Sequence, residues 1–219
     1  MAAPDSFDII VIGGGAAGFF GAINIASINP ELSIAILEKS SKLLTKVRIS
    51  GGGRCNVTHH CYEPTPLSKH YPRGQKELKK LFRVFQASDV VKWFESKGVE
   101  LKIEKDGRMF PTSDNSETIM NCFLAEANRL GIQIATKCEI TAVHKIPDGF
   151  TVTSLDGRIY TAKKILIAMG GHAQESRYKW IEELGHKIVR PIPSLFTLND
   201  SAKNFQDLMG VSVSEAQIQ

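Results

Sequence analysis

The chain has 219 residues, 42% hydrophobic and 23% charged, which suits one large globular unit with a sizeable core and excludes a disordered or fibrous chain. A net charge of +4 is mild and looks evenly spread, so no nucleic-acid partner is expected. Four cysteines without framework spacing, and no charged leader ahead of an unbroken apolar run, predict reduced thiols, no membrane span and a cytoplasmic setting.

Phe7 to Ile12 is a continuous run rich in Ile and Val, the pattern of a parallel strand buried on both faces. Glycines follow at once. Ala16 to Ser27 then carries a helical apolar pattern that Asn29-Pro30 ends. Leu32 to Leu37 reads as a second buried strand closing on Glu38, which completes a βαβ unit. Gly13, Gly15 and Gly18 form G-x-G-x-x-G: one glycine for the tight turn, one for approach of a pyrophosphate, one for helix–strand packing. Gly14, Ala16 and Ala17 belong to the same turn, whose helix N-terminus favours phosphate. Glu38, twenty residues after Gly18, stands where a carboxylate accepts from a ribose hydroxyl, with Lys39 beside it. The turn alone does not separate NAD from FAD.

Lys39 to Tyr71 reads as loop, and within it Ser50, Gly51, Gly52, Gly53, Arg54, Cys55 and Asn56 form the most unusual segment. No strand precedes it, so it is not a second Rossmann turn. Three glycines let a backbone lie flat on a ligand, and Arg54 and Asn56 add charge and hydrogen-bonding groups, a combination that suits a flavin and its pyrophosphate.

Two amphipathic helices follow, Lys76 to Gln86 and Ser88 to Lys97, with Ser88 as N-cap and Gly98 as stop. A hairpin turns at Lys105-Asp106-Gly107, and a helix runs from about Asn115 to Leu130. Short strands are expected at Ile132–Ala135, Glu139–Ile146, Phe150–Ser154, Arg158–Thr161 and Lys164–Ala168, then a helix from Ser176 to Leu184. From Pro191 the pattern changes. The expected organisation is a FAD-binding domain over 1–190, with a helical insertion over about 60–130, and the start of an incomplete substrate domain over 191–219. The fold class is α/β: a Rossmann-like parallel sheet with an antiparallel β crossover element.

Cys55, His59, His60 and Cys61 have the types of zinc ligands, but C-x3-H-H-C crowds them and no second pair follows, so no metal is expected. His172 and His186 read as solvated, and Trp93 and Phe94 as core. No catalytic acid or base stands out.

The run VIGGGAAG, ILEKS, KVRISGGGRCNVT, GRMFPTSD and ILIAMGG resembles the NAD(P)/FAD-dependent oxidoreductase family that includes aminoacetone oxidase and the BaiN-type bile-acid reductases. That resemblance implies FAD on Gly13, Gly15 and Gly18, with Glu38 on the adenosine ribose. It implies Lys46 and the loop from Ser50 to Thr58 along the flavin, the Ile140 backbone near adenine, and Ala168 to Gly171, Gly170 included, closing over the cofactor. It also implies a small-molecule substrate, with NAD(P)H as a candidate electron donor, and a chain representing the N-terminal half of such a flavoprotein. Met169 and the His172–Ser176 turn depart from the family pattern. A non-catalytic nucleotide-binding fragment and an NAD-binding dehydrogenase domain are the alternatives.

Overall fold

The computed structural model describes residues 5–192. Strand β1 (Asp5–Ile12) lies at the centre of a six-stranded sheet. Its side chains alternate between faces: Ile9 and Val11 enter one apolar cluster, Ile10 and Ile12 the other. Burial on both faces is why this strand reads as an unbroken apolar run. Helix α1 (Ala16–Ile28) leads from β1 to β2 (Ile34–Leu37), which pairs parallel with β1. Beyond β2 lies β6 (Gln133–Ala135), also parallel.

The other side of β1 is occupied by β9 (Ile159–Ile167), parallel to it from Asp5↔Tyr160 to Ile12↔Ile167. Strands β7 (Ile140–Ile146) and β8 (Gly149–Ser154) complete an antiparallel meander with β9, giving the order β6-β2-β1-β9-β8-β7. The chain therefore leaves β1 on one side and returns on the other. That reversal opens a crevice at the carboxyl end of β1, where the glycine turn sits.

The expected two strands at 158–161 and 164–168 are one. Lys163-Lys164 interrupts the apolar pattern because β8 stops pairing at Ala162, and β9 continues beside β1 alone. Lys163 pairs there with Asp8 at 2.7 Å.

The insertion is mixed rather than helical. Helices α3 (Pro64–Lys69), α4 (Gln75–Leu81) and α5 (Ala87–Glu95) precede a small antiparallel sheet of β3 (Thr58–His59), β4 (Leu101–Ile103) and β5 (Arg108–Pro111). Gln86, not Ser88, caps α5: the Asp89 carboxylate accepts from the Gln86 N–H at 2.9 Å. Helix α6 (Ser116–Arg129) is capped by Asn115, whose side chain accepts from the Glu117 N–H at 2.9 Å. Helices α1, α5 and α6 cover one face of the large sheet, where Phe19, Phe94 and Phe123 pack together. The last expected helix divides into a 3-10 turn (Glu175–Tyr178) and α7 (Lys179–Glu183), whose Trp180 is buried on the other face. Apart from Pro191 and Ile192, the tail assigned to a second domain lies outside the described residues. No helix among the described residues is long and apolar enough to cross a membrane.

Candidate functional site

At the end of β1 the backbone turns at Gly13, whose φ of +114° disfavours any side chain. A Cβ there would stand 2.5 Å from the Ala168 carbonyl oxygen. Gly18 lies behind the turn on α1, and a Cβ on it would meet the Gly13 oxygen at 1.9 Å. At Gly15 a Cβ would meet nothing within 4 Å, because that residue faces the open crevice. Gly13 thus makes the turn and Gly18 permits close helix packing, while Gly15 leaves its backbone open to the crevice.

Gly15 caps α1 without a side-chain hydrogen bond, and the first turn carries no acid. Its N–H groups and positive dipole end are left pointing into the crevice. Lys39, Lys42 and Lys46 line the same space, with Glu38 as the acid among its lining residues. None of the three lysines pairs with a carboxylate among the described residues. A cavity of about 310 Å³ with this lining is an anion cradle.

Glu38 is committed to the backbone. Its carboxylate accepts from the Gly14 N–H at 2.7 Å and from the Ser40 N–H at 2.8 Å. Both oxygens keep a lone pair for a ribose hydroxyl, so its first role is to hold the turn and its second to face a ligand. Past Glu38, the cavity continues between Leu37, Lys39, Cys138, Glu139 and Ile140 on one side and Met169, His172 and Trp180 on the other. Ile140 therefore lines the end of the crevice beyond Glu38 and Lys39. Arg177, which also lines it, bonds to Glu139.

In the opposite direction the cradle opens, through Ala16, Lys46 and Val47, into an apolar cavity of about 450 Å³. Ala17, Ser50, Cys55 and Asn56 line it, with Phe20, Phe85, Phe94 and Phe123. A Cβ on Gly170 would lie 3.4 Å from Lys46 Nζ, so Lys46 stands across the crevice from the end of β9.

The 45–56 segment, read as loop, begins as helix α2 (Thr45–Gly53), helical only over its first part. Ser50 is extended, and Gly51 and Gly52 adopt left-handed angles. The Ser50 carbonyl accepts from the Arg54 and Cys55 N–H groups and closes the loop. The loop then joins the small sheet, where Thr58 pairs with Met109. Only part of it faces the crevice. Gly51, Gly52 and Gly53 do not line its cavities. Gly51 lies against the Phe110 ring, 2.7 Å from where its Cβ would be. Arg54, expected at the cofactor, is not among the residues lining the crevice: the guanidinium bonds to Glu104 and lies 4.0 Å over the Phe110 ring. Its charge is used within the small sheet, and the nearer cationic contribution to the crevice is Lys46. Burial pushes the Cys55 thiol up, so it remains protonated at neutral pH. Among the described residues no three His, Cys, Asp or Glu converge as metal ligands.

Lys42, His172 and Trp180 were missed as lining residues. Lys42 had a readable signal, a cation shortly after the acidic strand end; the others arrive from segments far along the chain. Met169, where the family pattern differs, follows Ala168 directly into the crevice wall.

Residues 7–218 match the HI0933-like protein Rossmann domain. The chain is 26% identical over 207 residues to the 3-dehydro-bile acid delta(4,6)-reductase of Clostridium scindens, covering 92% of this chain and 49% of that one. It is 28% identical over 218 residues to the ribosomal RNA dihydrouridine synthase of Escherichia coli K12, covering 95% and 53%. The chain thus spans about half the length of the relatives it matches. Among solved structures, the 3-ketosteroid-delta4-(5alpha)-dehydrogenase of Rhodococcus jostii RHA1 superposes with a TM-score of 0.59 at 13% identity, covering 79% of this chain and 48% of that one, a likeness of fold.

Proposed function

The chain belongs to the HI0933-like protein Rossmann domain family, and on that premise we propose that it forms the FAD-binding portion of a flavin-dependent oxidoreductase. The observation that carries this reading is the continuity of the crevice. An end lined by Glu38, Lys39 and Ile140 leads into the lysine cradle at the helix N-terminus, and that into an apolar cavity bordered by Ser50, Cys55 and Asn56. The sequence adenosine, pyrophosphate, flavin has the same order of chemistry. NAD shares the first two parts and ends in a nicotinamide ring; the apolar cavity of about 450 Å³ with its aromatic lining favours the larger flavin ring.

In this reading the uncapped start of α1 and Lys46 bind the pyrophosphate, and Glu38 accepts from the adenosine ribose. The aromatic wall of Phe20, Phe85 and Phe94 excludes water from the flavin end, while Ser50 and Asn56 offer hydrogen bonds to its polar edge. Bound flavin supplies hydride or electron transfer that no side chain here provides. Cys55, kept protonated, packs rather than attacks. Reductase in one relative's name and dihydrouridine in another's both describe adding hydrogen to an unsaturated compound, so reduction is the proposed direction. The substrate itself is left to experiment.

The purified chain is titrated with FAD and with NAD, and binding is followed by visible absorbance and by calorimetry. A yellow protein saturating near one FAD per chain is expected. A colourless protein that takes up no FAD, or one that takes NAD in preference, refutes the proposal.

A further inference from the structure

Fifteen residues, 69 to 83, carry six Lys and Arg against the single acid Glu77. The remaining chain has 21 Lys and Arg against 22 Asp and Glu, so the whole surplus of positive charge resides in this stretch. The charge is not evenly spread, as the bulk composition suggested. It runs from the end of α3 through α4, an element with no buried residue.

Nine of the other Lys and Arg are neutralised locally, while the crevice lysines Lys39, Lys42 and Lys46 are, like this row, without a carboxylate partner among the described residues. Arg48, Arg54, Lys97, Lys102, Arg108, Arg129, Arg158, Lys163 and Arg177 all pair with carboxylates. None of the six in 69–83 does so among the described residues. The backbone bonds Phe82 N–H to Leu78 and Phe85 N–H to Leu81 carry the helical path past Leu81. Lys76, Lys79, Lys80 and Arg83 therefore follow helical spacing along one face, opposite the half-buried Leu78 and Phe82. At a helical rise of about 1.5 Å per residue, Lys76, the adjacent Lys79 and Lys80, and Arg83 form three levels about 4.5 Å apart along the axis, a row that can lie along a phosphate backbone. Tyr71, 42% exposed, rests on the Phe82 ring at 5.5 Å and offers a free aromatic face beside that row. The path ends at Phe85, which packs on Phe20 and lines the apolar cavity.

We propose that the α3–α4 segment is an RNA-binding surface: its unpaired cation row holds the phosphate backbone, Tyr71 stacks on an unpaired base, and the strand is led toward the apolar cavity. Cations plus an exposed aromatic ring is the chemistry of single-stranded nucleic acid. A membrane surface needs an apolar face to insert. Here the exposed apolar groups of α4 and the turn after it are Leu81, Val84 and Phe85; they lie off the cation row, and Phe85 is engaged with Phe20. The proposal stands on the segment's own charge and does not require bound FAD.

The test is fluorescence anisotropy with a labelled RNA hairpin carrying a single-stranded loop, at several salt concentrations, alongside FAD uptake by the same preparations. K76E/K80E is compared with K145E/K164E, which changes net charge equally at exposed lysines elsewhere. Loss of two phosphate contacts should lower the salt slope by about 1.4, which weakens binding about tenfold at 0.15 M salt. Tyr71→Ala should weaken it at least about fivefold. K145E/K164E should bind RNA as the parent does, and FAD uptake should be the same in all variants. No RNA binding by the parent, an equal loss in K145E/K164E, or binding to phosphatidylserine vesicles in preference to RNA each overturns the proposal. Failure of FAD uptake with RNA binding intact refutes the cofactor reading alone.

Discussion

Gly15→Ala and Gly18→Ala, two methyl groups three residues apart, should have opposite consequences. At Gly18 the new Cβ falls 1.9 Å from the Gly13 carbonyl oxygen, so turn or helix must retreat by about 1 Å. Overpacking of this kind costs about 1–3 kcal/mol. Alanine recovers about 1 kcal/mol of helix propensity over glycine, so the net loss lies near 2 kcal/mol at most. For a chain of this size that lowers the melting temperature by up to roughly 4–8 °C. At Gly15 the φ of −92° and ψ of −175° suit alanine, and nothing lies within 4 Å. The entropic gain of about 0.4–1 kcal/mol is offset by the N-cap preference for glycine over alanine. Stability should therefore stay within about 1 kcal/mol of the parent. The Gly15 methyl instead occupies the approach to the uncapped N–H groups, and FAD affinity should fall at least tenfold, about 1.4 kcal/mol. Thermal melts without ligand and flavin fluorescence titration read the two effects separately. If Gly15→Ala binds FAD as tightly as the parent, the pyrophosphate does not sit on this turn and the site reading is wrong.

Glu38→Ala should destabilise the ligand-free chain in urea by about 1.5–3 kcal/mol, because two backbone N–H groups lose a charged acceptor. A carboxylate serving ribose alone would leave the ligand-free protein unchanged. Asp8 is held well below the usual carboxylate range, first by its bond to Lys163 and then by Ser33. A lowered native pKa gives stability that is present above the ordinary Asp value and lost as pH falls through the native one, so Asp8→Asn should flatten the acid limb of the melting-temperature profile below about pH 4. An unchanged acid limb would refute this contribution. With Cys55, Cys122 and Cys138 buried, and burial pushing the Cys122 thiol up to about 11, a thiol reagent should react quickly with Cys61 alone. The other three should react only on unfolding; rapid labelling of a second cysteine in the native chain would contradict the burial.

The βαβ unit was legible because its signals are local and mutually consistent: Ile9 to Ile12 fully apolar, glycines at the turn, a proline after α1. The 45–56 segment was not, because its shape depends on distant partners. Ser116 Oγ donates to the Arg48 carbonyl at 2.9 Å, and Gly51 is set against Phe110. Arg54 was expected at the cofactor on its chemistry. Nothing adjacent in the chain reveals that Glu104, fifty residues away, takes its charge. The cation row of 69–83 was visible as letters but diluted by a chain-wide average; what sets it apart is six cations against one acid within fifteen residues, on an element with no buried residue.

Pairing of β1 with β9 has a consequence for how the molecule is made. Asp5 meets Tyr160, 155 positions later, and the Ala168 N–H donates to the Ile12 oxygen beside Gly13. β1 therefore waits for β9, the last described strand, before its second edge is closed. Contacts of such sequence separation are slow to form, and an open strand whose Ile9 to Ile12 half is wholly apolar is prone to wrong pairing in the interval. During synthesis β1, α1 and β2 can assemble early, but one wall of the crevice does not exist until residue 168 has emerged. A ligand that spans both walls could not be held before residue 168 has emerged, and it would act on folding by fastening together Gly13 and Ala168, 155 positions apart.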